Sequence, residues 1–145
     1  MAGPNRNDPL GAFNFVVEID GIMQASFAEV AGLSVEIAPI EYRTGNEDLT
    51  VRKIPGLKKF TNITLKRGVT SDRSLWNWIK QALDGKVVRA SMSIMLMDQE
   101  RKPVMRWNVR EAWPCKYEGP VLNAKANEVA IESVEICHEG IELVE

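Results

Sequence analysis

The chain has 145 residues, 45% of them hydrophobic and 26% charged, with 10 Gly, 7 Pro, 2 Cys and a formal net charge of −2. That composition is the profile of one globular domain able to bury roughly two thirds of its unfolded surface, with little room for a second unit of enzyme size. It excludes a disulfide framework, and its longest apolar stretches, such as Met92 to Met97, fall far short of the ~20 residues a membrane-spanning helix needs.

The segment Met1 to Leu10 has no apolar run behind its single Arg, so the expectation is synthesis ending in the cytoplasm without a signal peptide. From Ala12 to Ile19, Phe13, Phe15, Val17 and Ile19 alternate with polar or smaller partners, the period of a half-buried strand. Asp20-Gly21 then predicts a two-residue type I′ turn and a return strand over Ile22 to Val30. After Gly32, Leu33, Val35 and Ile37 alternate until Pro39, which forces an edge position or a bend. Thr44 to Leu57 is the least regular stretch and reads as an extended loop or flap.

Phe60 to Lys66 reads as a strand. Leu75, Trp78, Ile79, Ala82 and Leu83 then fall at i, i+3, i+4, i+7 and i+8, one stripe of an amphipathic helix, with Ser71 as N-cap, Asp72 at the positive dipole end and Gly85 as C′ residue. Val87 to Met97 and Val104 to Trp113 alternate again around the turn Asp98 to Pro103, the second strand placing Met105, Trp107, Val109 and Trp113 on one face. Val129 to Cys137 changes phase, which predicts a bulge near Glu132 and Ser133. About seven strands and one helix make an α+β, mainly β domain, an antiparallel barrel or sandwich spanning residues 1–145, with more edges than its charges protect.

Charge is segregated. Arg52 to Arg73 holds seven bases against one acid, and Glu128 to Glu145 holds six acids and no Lys or Arg. The two blocks either neutralise each other within the molecule or steer copies into head-to-tail contact. The basic block has one aromatic, Phe60, so the base-stacking platform of a single-strand binder is missing. Chemistry finds little support: His138 is the only histidine, Cys115 and Cys137 are plain thiols 22 positions apart, and no calcium or phosphate loop occurs. No cofactor, metal site or catalytic residue is expected.

Seven phrases, in order, resemble the tail tube proteins of contractile phage tails and phage-derived extracellular injection systems. They are Phe13-Asn-Phe-Val-Val-Glu-Ile-Asp-Gly21, Phe27-Ala-Glu-Val-Ala-Gly-Leu33, Lys53-Ile-Pro-Gly-Leu57, Ile63-Thr-Leu-Lys-Arg-Gly68, Leu75-Trp-Asn-Trp-Ile79, Ala112-Trp-Pro-Cys-Lys-Tyr117 and the closing run Asn127 to Gly140. Any one is weak; together they span nearly the whole chain.

The resemblance implies a non-enzymatic subunit of hexameric rings stacked into a hollow tube inside a sheath, with sheets of neighbouring subunits joined around the lumen and the helix outside. It implies as partners other copies of itself, sheath, baseplate, tube-terminating and tape-measure proteins, and a lumen that could carry DNA or an effector protein; the subunit itself does not insert into a membrane. The particle is a virion tail or an injection particle. Subunit contacts are expected from Glu47, Arg52, Lys53, Pro55, Gly56, Leu57, Lys58 and Lys59 against acids such as Glu139 and Glu142. Sheath-side contacts are expected from Arg73, Trp76, Asn77 and Lys80. The alternative is a small binding or adaptor module of a related system, acting as a single ring or monomer.

Overall fold

Phe15, Val17 and Ile19 turn inward along strand β1 (Phe15–Ile19), with Val17 and Ile19 fully buried, in a computed structural model that describes residues 14–25, 27–43, 45, 51–125 and 129–144. The turn at Asp20 leads into β2 (Met23–Ala25), with Ile19 opposite Met23. This makes a three-residue loop rather than the two-residue type I′ turn. Gly21 has φ 74° while Asp20 keeps a negative φ, and the Ile22 N–H donates to the Ile19 carbonyl at 3.0 Å.

The expected return strand is divided. Beyond β2 the chain crosses at the buried Phe27 and re-forms as β3 (Glu29–Ala31), which pairs with β6 (Ile63–Gly68). The strand expected over Phe60 to Lys66 is likewise broken at Thr61 and Asn62, so Phe60 ends one strand and Ile63 begins the next. Among the described residues there are ten strands and one helix, all strand pairs antiparallel. The domain is therefore α+β and mainly β, as its patterning requires.

Two sheets share one long strand. The first half of β8 (Pro103–Glu118) lies between β7 (Ala90–Met97) and β10 (Gly140–Val144), and its second half pairs with β9 (Ile131–Cys137). Pairing then runs from β7 to β1 and β2 on one side, and from β9 to β6 and β3 on the other. Glu111, with φ 53°, marks the passage from one half of β8 to the other. It also shifts the phase: Met105, Trp107 and Val109 are followed inward by Ala112 and Pro114, so Trp113 leaves the face predicted for it.

The bulge predicted near Glu132 is in the partner strand instead. β9 is regular, burying Glu132, Val134 and Ile136, while Cys115 is the extra residue of β8 between Pro114 and Lys116. Val129 and Ile131 are exposed. The sequence misleads here because the inward position next to Val134 is taken by a glutamate, which breaks the apolar alternation without any bulge in β9.

Inside, Val17, Ile19, Met92, Ile94 and Val109 from one sheet meet Phe27, Ile63, Leu65, Val134 and Ile136 from the other. Helix α1 (Ser74–Leu83) adds Leu75 and Trp78 to this core, and the Trp78 indole N–H donates to the Val88 carbonyl at 2.9 Å. Leu83, expected in the apolar stripe, is exposed. Ser71 does not cap the helix: the N-cap position is Arg73, which offers no side-chain cap, and Asp72 just ahead of it closes a local turn instead, its Oδ1 accepting the Ser74 N–H at 3.0 Å and the Ser74 hydroxyl at 2.6 Å. At the other end the Gly85 and Lys86 N–H groups reach the carbonyls of Ala82 and Gln81, a Schellman closure around Gly85.

One charged cluster lies within this interior. Arg67 and Glu132 are 6% and 7% exposed, and Arg67 Nε donates to Glu132 Oε1 at 2.7 Å. The remaining guanidinium nitrogens reach Asp72, and the Tyr117 hydroxyl donates to Glu132 Oε2 at 2.6 Å. Phe27 lies against the guanidinium, 5.9 Å from ring centre to Cζ. The cluster ties β6, β8 and β9 to the entry of α1.

The hydrogen bond to Glu132, followed by burial, pushes the Tyr117 phenol up to about 12. A raised acid pKa means its stabilisation is present below the ordinary tyrosine value near 10 and lost as pH climbs toward about 12. Wild-type protein should therefore lose stability more steeply between those values than Tyr117→Phe, measured by urea unfolding along the pH series. Equal slopes would show that Tyr117 ionises as freely in the fold as in the unfolded chain.

Candidate functional site

The stretch expected to be a loop is half strand. Val35–Tyr42 forms β4 and Arg52–Phe60 forms β5, and the two pair with each other as a separate two-stranded ribbon. Arg52 to Leu57 thus belong to β5 rather than to a flap, because Arg52 to Pro55 are paired one for one with β4, whose Pro39 stands opposite Pro55. A two-stranded ribbon tolerates both prolines, since each strand has an unpaired outer edge. Thr44 and residues 46–50, including the candidate Glu47, lie outside the described residues.

The ribbon has two faces. Opposed residues share a face, and β4 carries no extra residue, so Val35–Phe60, Ile37–Lys58, Pro39–Pro55 and Glu41–Lys53 lie on one face. Glu36–Lys59, Ile40–Ile54 and Tyr42–Arg52 lie on the other. The register shift between Ile37 and Pro39 is a bulge in β5, where Gly56 and Leu57 oppose Ala38, so exposed apolar side chains stand on both faces, Val35 and Ile37 on one and Ile40, Tyr42 and Ile54 on the other. Gly56 makes this fold-over possible: a Cβ there would stand 2.5 Å from the Ala38 carbonyl oxygen and press on Ile40. Every residue of β4 is exposed, and Leu57 of β5 is 85% exposed.

The base of the ribbon is held to the body. Gly32 has φ 97°, and any side chain there would collide with the Asn62 carbonyl, so β4 leaves the sheet against Thr61 and Asn62 at backbone contact. The Thr61 hydroxyl donates to the Gly32 carbonyl at 3.0 Å and lies 2.7 Å from the Ser34 hydroxyl. His138 Nε2 is 2.8 Å from the Thr61 carbonyl oxygen, and the ring tilts against Phe60 at 5.9 Å. The lone histidine is a bracket between the β9–β10 junction and the ribbon.

Within one chain the opposed charge blocks meet at the buried Arg67–Glu132 pair, while the other charges of the described residues take different partners or face water. Lys53 and Lys59 stand across from Glu41 and Glu36, Lys66 bridges Glu29 at 3.4 Å, and Arg67 is buried on Glu132. Glu139 approaches Arg89 at 3.7 Å, and Glu142 lies exposed on β10 opposite Asn108. Arg52, Lys53, Pro55, Gly56, Leu57, Lys58 and Lys59 are gathered on β5, while Glu139 and Glu142 sit on the body.

A second surface is the outer side of α1. Arg73, Trp76, Asn77 and Lys80 fall at i, i+3, i+4 and i+7 and are all exposed, opposite the buried Leu75, Trp78 and Ile79. Trp76 is 43% exposed and meets Tyr117 edge-on at 5.3 Å. Among the described residues, no helix is long and apolar enough to cross a membrane and no three His, Cys, Asp or Glu side chains could hold a metal ion. The open grooves include one of about 220 Å³ lined by Thr64, Lys66, Lys116, Glu118, Ser133 and Glu135.

The apolar residues Ile37, Ile40, Tyr42 and Ile54 were not among the expected contact residues. Their alternation is visible in each segment, but which of them stand side by side, as Ile40 and Ile54 do, appears only once the two segments are set in register.

The family model for the T4-like virus tail tube protein gp19 matches residues 11–142. The chain belongs to that family. Among solved structures, it is similar to a chain in the PVC sheath-tube complex of an extracellular contractile injection system in its extended state, at 28% identity and TM-score 0.85, covering 94% of this chain and 91% of that one. A chain of the PVC sheath/tube terminator matches at 28% identity and TM-score 0.87, over 96% and 99% of the two chains. Hcp1 from Flavobacterium johnsoniae shares the fold at 15% identity and TM-score 0.63, over 90% and 94%. No curated protein sequence matches the chain. This is a tail tube protein of the contractile injection system type, and its family is one of structural components.

Proposed function

We propose that this tail tube protein is a single-domain, non-enzymatic subunit that builds six-membered rings, and that the rings stack into a hollow conduit. The observation that carries this reading is the ribbon: strands β4 and β5 stand apart from a core closed by the other eight strands and the helix, and their Val35, Ile37, Ile40, Ile54 and Leu57 are exposed among the described residues. A second copy supplies the missing cover. Free outer edges on β2, β3 and β10 offer main-chain pairing to neighbours as well.

The similar chains come from a sheath-tube complex, a baseplate and tube-terminating assemblies, which supports sheath, baseplate and terminator proteins as partners. The exposed stripe Arg73, Trp76, Asn77 and Lys80 is the surface we assign to the sheath. A tape-measure protein and a cargo of DNA or effector protein would share the lumen. The assembled particle is a phage tail or an injection particle, formed after cytoplasmic synthesis.

Light scattering and electron microscopy of the purified protein test the reading. A species near six times 16.3 kDa, or fibres of uniform width, is the expected result. A strict monomer across a wide concentration range would overturn it in favour of an adaptor module.

Between copies, the bases of β5 are expected to meet acids such as Glu139 and Glu142. Reversing Lys58 and Lys59 to glutamate should then weaken assembly, and wild-type assembly should itself weaken as salt rises. Assembled tubes unchanged in micrographs would remove the electrostatic contact while leaving the apolar one standing.

A further inference from the structure

We propose that Cys115 and Cys137 are a reversible redox couple, whose disulfide staples β8 to β9. The two positions are 22 apart in sequence, and strand pairing brings them together. Trp113 stands directly opposite Cys137, and the chain gains one residue at Cys115 before Lys116 resumes the ladder opposite Glu135. A bulge of this kind turns both of its residues toward the same side. Since the neighbours Pro114 and Ile136 point into the core, the two sulfurs share the outer face of the sheet.

Neither thiol is sealed: both are half-buried and neither is bonded to another cysteine. Cys115 Sγ lies 3.4 Å from the Glu135 carbonyl oxygen and 3.9 Å from both Glu135 Oε2 and Asn62 Nδ2. Burial, and then the sulfur of Cys137 beside it, push the Cys115 thiol up to about 12. Cys115 therefore holds its proton and is the poorer first nucleophile, so the first attack falls to Cys137.

The oxidant is a low-molecular-weight disulfide. The Cys137 thiolate attacks one of its sulfurs, the S–S bond breaks, and one small thiolate leaves with the electron pair. Cys115 then loses its proton to solvent and attacks the Cys137 sulfur of the mixed disulfide, releasing the second small thiolate. The protein pair is oxidised by two electrons and the small disulfide is reduced to two thiols.

The test uses the full chain, reduced and then incubated with oxidised glutathione, blocked with iodoacetamide and mapped by mass spectrometry. The expected result is a Cys115–Cys137 linked peptide without retained glutathione, reversed by dithiothreitol, with Tm about 5–10 °C higher in the linked form because the closed loop restricts the unfolded chain. Cys115→Ser should trap glutathione on Cys137, and Cys137→Ser should leave Cys115 alkylated. In the wild-type protein, two alkylated thiols after oxidant, glutathione retained on both, linkage only between chains, or a link that leaves Tm unchanged would each overturn the proposal.

Discussion

Arg67→Ala should lower the stability of the subunit by about 3–5 kcal/mol, the cost of leaving a buried carboxylate without its cation. For a chain of this size that is a fall of roughly 10–20 °C in Tm. The magnitude follows from burial: Arg67 and Glu132 are both almost fully enclosed, and the guanidinium also holds the Asp72 carbonyl at 2.9 Å, ahead of the first turn of α1. Removing it strips β6 of a buried side-chain tie to β9, beyond their backbone pairing, and the helix entry of its anchor. The triple variant Arg67→Met, Glu132→Leu, Tyr117→Phe should recover most of the loss, because an apolar set of similar volume has no ions to desolvate. Thermal unfolding of both proteins decides it. A single variant that unfolds within about 2 °C of wild type would mean water reaches Glu132 and solvates it.

The same cluster shows where sequence patterning stops. Periodicity placed α1 correctly, because Leu75, Trp78 and Ile79 repeat at helical spacing and Gly85 closes the last turn with no competing signal. Alternation found β1, β7 and the first half of β8 for the same reason, since one buried face leaves its period in the residues. It failed at Glu132, where an acid occupies an inward position, because its partner Arg67 is 65 residues away and nothing local announces it. It failed again at Glu111, where one residue of positive φ shifts the inward set of β8. A phase change in sequence can come from either strand of a pair, and only the pairing says which.

The ribbon was legible in parts only. Pro39 argues for an edge position, and that is where it stands; its placement opposite Pro55, on two strands that pair with each other apart from the main sheet, depends on a connection whose length sequence alone does not convert into register. The resemblance to tail tube proteins rested on phrases such as Lys53-Ile-Pro-Gly-Leu57, which lies in this ribbon. A motif can therefore identify the family while its residues remain assigned to the wrong kind of element.

Because the ribbon stands outside the core, its contribution to folding and its contribution to assembly can be separated. Ile37 and Ile54 are about half exposed, one on each face of the ribbon. Replacing either with aspartate in the lone subunit puts a charge into water, a change expected to stay within about 1 kcal/mol. Against a second copy, the same carboxylate would be buried without a cation, at a cost of several kcal/mol in every contact of a ring or stack. Ile37→Asp and Ile54→Asp should therefore remain folded, with circular dichroism and Tm close to wild type, and yet run as monomers in light scattering. This is the reverse of the Arg67→Ala signature, in which the subunit itself fails. Folded Ile37→Asp and Ile54→Asp proteins that still form wild-type rings or fibres would show that these apolar side chains stay open to solvent in the assembly, and would leave the strand edges as the contacts that join one copy to the next.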